Sequence, residues 1–131
     1  MGKKKIRTIA YLGADAFIKG DEIKKKKQWK YINEYAKAHS LQIVKIVDTS
    51  YLSKGMRNEQ IRKIANDIFH RKAEAMIVTN SRIVAEDIID VYKIAGSIAS
   101  VGGKLITVDE GELFLNVRIM PVRGKKGNGG N

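Results

Sequence analysis

Ile6-Arg7-Thr8-Ile9-Ala10-Tyr11-Leu12-Gly13-Ala14-Asp15 is the stretch on which the fold turns: a short, largely apolar run that stops at a glycine-containing turn. A run of this length bounded by turn residues reads as a buried strand, here Ile6 to Leu12. Asp21 and Glu22 then open a helical stretch to about Ser40, with acids in the first turn, where the helix dipole favours them. Trp29, Ile32 and Ala36 form its apolar stripe. Four consecutive lysines, Lys24, Lys25, Lys26 and Lys27, cover every face of one helical turn, so one of them must snorkel or meet an anion.

The same alternation continues downstream. Leu41 to Val47 is a second strand closed by Asp48, and a polar loop from Thr49 leads to a helix expected to be capped by Asn58. In that helix Ile61, Ile64, Ala65, Ile68 and Phe69 fall at the spacing of a core-facing stripe. Ala75 to Thr79 is a short buried strand. Ala85 to about Val101 is a helix with Ile88, Tyr92, Ala95, Ile98 and Ala99 directed inward, stopped by Gly102-Gly103 before a strand at Lys104 to Val108. Strands alternating with helices demand right-handed crossovers, hence an α/β, three-layer fold with a mostly parallel central sheet flanked by helices. Leu113 to Met120 alternates apolar and mixed positions and adds a C-terminal strand, which Pro121 confines to an edge. Residues 1–121 therefore form one domain with a basic arm at 1–5. The Gly-rich basic segment 122–131 reads as a disordered tail.

Charge separates the body of the chain from its ends. Residues 1–31 carry ten Lys/Arg against three acids, residues 118–131 carry four Lys/Arg and no acid, and residues 32–117 hold eleven of each. A neutral body with basic ends suits a polyanion, DNA or RNA, because each neutralised phosphate releases condensed counterions. Lys3, Lys4, Lys5, Arg123, Lys125 and Lys126 at the ends, with Lys24 to Lys27, are the candidate contacts. The chain has no cysteine, which excludes disulfides, thiolate metal sites and cysteine nucleophiles. His39 and His70 stand isolated, so no metal or cofactor is expected. No apolar run is long enough to span a bilayer, and the Lys-rich start lacks a signal-peptide apolar stretch, so a cytoplasmic protein with no membrane association is expected.

In an open parallel sheet, ligands bind beyond the carboxyl ends of the strands. Three loops meet that description, at 13–20, 48–58 and 80–85, and they hold Asp15, Asp48, Arg57, Ser81 and Arg82. Arg57 and Arg82 suit a phosphate, but the loops contain neither a nucleophile paired with a base nor a Gly-rich phosphate loop. A phosphoacceptor receiver domain would need an aspartate after the third strand, where Thr79-Asn80 stands.

Taken together, these loops resemble the N-terminal catalytic domain of serine recombinases, the resolvase and invertase family. Those domains begin with a strand that runs into Tyr-x-Arg-x-Ser, matched here by Tyr11-Leu12-Gly13-Ala14-Asp15. Tyr11 is kept, but Gly13 replaces the arginine and Asp15 the nucleophilic serine. The register Gln28-Trp29-Lys30-Tyr31-Ile32-Asn33-Glu34-Tyr35-Ala36 and the strand-ending Asp48 fit the family pattern. An arginine ahead of the next helix is matched by Asn58, or by Arg57 after a one-residue slip. The family's Asp-Arg-Leu-x-Arg corresponds to Ser81-Arg82-Ile83-Val84-Ala85, which keeps only the first arginine.

The resemblance covers residues 6–112 and implies a resolvase-like fold without its reaction. In-line attack on a phosphodiester needs the serine oxygen and several guanidinium groups, each such donor being worth about 2–4 kcal/mol. The expected function is a catalytically inactive recombinase-like protein, a DNA-binding or recombinase-associated accessory module of a mobile element, with a homo-oligomer or a recombinase as its protein partner. The alternative is a pocket rebuilt for another phosphoester or phosphate-binding activity around Asp15, Asp48 and Arg82.

Overall fold

A computed structural model describes residues 4–13 and 22–113. The elements, in chain order, are β1 (Ile6–Leu12), α1 (Glu22–Ala38), β2 (Leu41–Asp48), α2 (Lys54–Phe69), β3 (Ala75–Val78), α3 (Ser81–Val84), α4 (Ile88–Ser100), β4 (Lys104–Thr107) and β5 (Gly111–Leu113). They build a five-stranded sheet in the order β2-β1-β3-β4-β5. The first four strands are parallel, and β5 closes the edge antiparallel to β4.

Strand alternation divides the core into two layers. Ile9 and Tyr11 of β1 point to one face, where they join Met76, Val78 and Leu105 under Ile61, Ile64 and Ile68 of α2 and Ala95 and Ile98 of α4. Ala10 and Leu12 point to the other, packing with Ala75, Ile77 and Ile106 against Ile32 and Ala36 of α1. Burying both faces of β1 is what its nearly unbroken apolar sequence requires.

Several local expectations are corrected. The second helix begins a full turn before Asn58, because the Ser53 hydroxyl accepts a hydrogen bond from the Met56 amide and caps it. Replacing Ser53 by alanine is expected to cost about 1 kcal/mol in urea denaturation, since that amide then loses its partner. Phe69 is 64% exposed; it ends α2 beyond the sheet and packs edge-on against the His70 ring. The helix expected from Ala85 is two helices: Asn80 caps α3, and Asp87 caps α4 through the Ile89 amide. That start sets the inward stripe at Val91, Ala95 and Ile98, leaving Ile88, Tyr92 and Ala99 exposed. Gly102, at φ 87°, supplies the left-handed turn that ends α4. The C-terminal strand starts at Gly111 and lies at the sheet edge as expected; its continuation to Met120 lies outside the described residues, as do the tail and Lys3.

Candidate nucleic-acid interface

The sheet order places β1 between β2 and β3, so the chain leaves β1 toward one side and returns on the other. The carboxyl ends of these three strands then meet at a topological switch point, the usual place for a ligand in an open α/β sheet. Leu12 pairs with Asp48 across β1 and β2, and the Thr49 amide and hydroxyl both donate to the Leu12 carbonyl, at 2.8 and 2.9 Å. This fixes the loop after β2 against the loop after β1.

Gly13 is held from both sides. The Gln28 side chain of α1 forms a two-point clamp on its backbone, accepting from the Gly13 amide at 3.2 Å and donating to its carbonyl at 2.7 Å. On the opposite side the space where a Cβ would lie is taken: an added carbon would sit 2.9 Å from Thr49 Oγ1 and 3.2 Å from Ile83 Cγ2. Thr49 and Ile83 are buried, and the Thr49 hydroxyl is committed to Leu12, so neither yields cheaply.

Tyr11 lies beneath this packing, fully buried, and its hydroxyl makes no hydrogen bond of good geometry among the described residues. Burial pushes the phenol pKa up, against the smaller opposing pull of the Thr49 hydroxyl and the Arg57 guanidinium. The hydroxyl therefore stays protonated at neutral pH.

Asp48 faces α1. Its carboxylate accepts from the Ser50 amide at 3.0 Å, the Ser50 hydroxyl at 2.6 Å and the Lys25 ammonium at 3.0 Å. Lys25 also lies 4.6 Å from the centre of the Tyr51 ring, so one of the four lysines does meet an anion while Lys26 and Lys27 remain exposed. Burial alone would raise the Asp48 carboxyl, but the Ser50 bonds and Lys25 outweigh it and hold the group below its ordinary value. A depressed carboxylate contributes stability above its unfolded pKa, 3.8, and loses it as pH falls through the lower folded value. Denaturation at about pH 5 and about pH 3 should therefore show the advantage of the wild type over Asp48→Asn shrinking in acid. The difference should be a few tenths to about 1 kcal/mol, as befits a solvent-screened pair.

Arg57 and Arg82 come together in a different place from Asp48. They line a cleft of about 720 Å³ between α2 and α4, and Ala85, in the position expected of a second arginine, lines it as well. Ser81 is the first residue of α3, and Asn80 accepts from the Arg82 amide at 3.0 Å. Arg57 rather than Asn58 is the half-buried residue of that pair, and it is the one that acts on Tyr11. Of the remaining candidates, Lys4 and Lys5 are exposed, Lys24 is half-buried, and Asp15, Arg123, Lys125 and Lys126 lie outside the described residues. No group of three His, Cys, Asp or Glu able to hold a metal occurs among the described residues. Sequence reasoning missed the roles of Thr49 and Ile83 against Gly13 and the acidic side of the cleft at Glu86, Asp87 and Asp90. The last was open to view as a local cluster, Glu86-Asp87-x-x-Asp90.

The fold so assembled is that of serine recombinase catalytic domains. The chain is similar to a resolvase family site-specific recombinase from Streptococcus pneumoniae, with a TM-score of 0.65 and 19% identity over 82% of this chain and 74% of that one. It is similar to the N-terminal catalytic domain of TP901-1 integrase, with a TM-score of 0.63 and 15% identity over 80% of this chain and 78% of that one. The C-terminal catalytic domain of ISC1926 TnpA, an IS607-like serine recombinase, gives a TM-score of 0.61 and 16% identity over 79% of this chain and 70% of that one. No protein-family model and no curated protein matches the sequence. No helix among the described residues is long and apolar enough to cross a membrane.

Proposed function

We propose that this chain is a non-catalytic serine-recombinase-like protein, a DNA-binding or recombinase-associated accessory module of a mobile element in the cytoplasm. The observation that carries the reading is the closed space at Gly13, where the resemblance places an active-site arginine. Thr49 and Ile83 occupy the room that the first carbon of such a side chain would need. The loss is thereby built into the packing rather than confined to one residue type. Arg57 and Arg82, the two arginines that the resemblance keeps, line one cleft, and the excess charge lies at the two ends of the chain.

Asp48 favours this reading over a rebuilt phosphoesterase. Its oxygens are committed to Ser50 and Lys25, on the α1 side of the sheet, whereas Arg57 and Arg82 line the cleft between α2 and α4. Titration of labelled duplex DNA with the full chain at about 50 mM salt tests the binding half of the proposal: a complex that weakens steeply with salt is expected, and no complex would overturn it.

A further inference from the structure

We propose that the cleft between α2 and α4 is a docking groove for an amphipathic segment of a partner protein, with an apolar stripe flanked by acids on one side and bases on the other. The inference rests on the partner-associated side of the reading above and not on DNA binding.

Its two walls differ in net sign. Lys54, Arg57 and Arg62 project from one stripe of α2, joined by Arg82 of α3, while Glu86, Asp87 and Asp90 stand before and in the first turn of α4 and outnumber Lys93, one turn further along. Between them lie apolar side chains, Ile61, Ala65, Val84 and Ile94, continuous with the core beneath. Arg62 pairs within α2 with Glu59, and Asp87 accepts from the Ile89 amide at the α4 cap. Among the described residues Lys54, Arg57, Glu86 and Asp90 make no ion pair.

Charge complementarity selects the occupant. A nucleic acid backbone laid along the cleft would gain from α2 but meet Glu86, Asp87 and Asp90 on the other side, and the apolar floor gives a phosphate nothing. A peptide whose apolar face covers Ile61, Ala65 and Ile94 answers all three surfaces at once, with acids toward α2 and bases toward Glu86 and Asp90. The cleft admits the inserted side chains of such a face, not a whole helix.

The test uses the full-length chain and three labelled helical peptides sharing one leucine stripe, flanked by glutamates and lysines on opposite sides, by glutamates alone, or by lysines alone. Fluorescence anisotropy should show the mixed peptide binding at least about tenfold more tightly than either single-sign peptide, unaffected by short duplex DNA. Glu86→Lys, which lies outside α4 and leaves its cap intact, should weaken the mixed peptide by about tenfold and favour the all-glutamate one. Asp90→Lys should act in the same direction. Equal binding of the three peptides, binding of none, indifference to both substitutions, or displacement by DNA would overturn the proposal. DNA binding is read separately, so a protein that binds duplex but no peptide refutes the groove alone.

Discussion

Gly13→Ala is expected to destabilise the protein by about 1–3 kcal/mol, and Gly13→Arg by more, because both place carbon where Thr49 and Ile83 already stand. Of a total stability of about 5–15 kcal/mol that is a large share. The effect is steric and therefore position-specific. Gly55 provides the contrast: no heavy atom lies within 4 Å of its Cβ position in the first part of α2, and alanine there should be neutral or stabilising by up to about 1 kcal/mol. Urea unfolding of the two alanine variants side by side separates packing from a general intolerance of glycine replacement. If Gly13→Ala were as stable as the wild type, the space would be free, and the missing arginine would be a simple substitution rather than a rebuilt pocket.

Removal of residues 1–5 and 122–131 is the second large effect. It deletes Lys3, Lys4, Lys5, Arg123, Lys125 and Lys126 and keeps every residue named above in the two core layers and the cleft. If these cations meet phosphates, each contributes about 0.9 to the slope of log affinity against log salt, so the truncated protein should show a slope shallower by several units. Its affinity for duplex at about 50 mM salt should fall by at least about a hundredfold. Arg57→Ala with Arg82→Ala, by comparison, removes two contacts at most and should flatten the slope by no more than about 2. Unchanged binding after truncation would assign the basic ends to solubility and move the interface elsewhere.

Elements held by local pattern were legible in the sequence. The nearly unbroken apolar run of β1 and the Ile61, Ile64, Ile68 stripe of α2 follow directly from burial, on both faces of the strand and on one face of the helix. Phe69 departed from its stripe because α2 ends there, past the edge of the surface that the stripe covers. The α4 register was missed for a different reason: Ile88, Ile89, Val91, Tyr92, Ile94 and Ala95 leave almost every face apolar, so periodicity alone does not choose the buried one. The cap at Asp87 does.

The candidate site divides in the same way. That Arg57 and Arg82 fall in loops at one end of the sheet was readable from their positions, and the structure brings both to one cleft. Nothing in the local sequence, however, brings Thr49 and Ile83 against Gly13, or Lys25 against Asp48, since each contact joins loops or elements that only the assembled sheet makes neighbours. The Gln28 clamp joins α1 to the turn after β1 through a side-chain amide. It gives the glutamine a structural role at that position: it fixes the strand-to-loop geometry.

Incubation of the full chain with supercoiled DNA, followed by denaturing electrophoresis and a parallel salt series, tests the central claim most directly. A complex that dissolves with rising salt, with no covalent protein–DNA adduct and no nicked or cleaved product after denaturation, is the predicted result. A covalent adduct or a broken strand would contradict it, because either would require a nucleophile and a phosphate-stabilising arginine where Thr49 and Ile83 crowd Gly13.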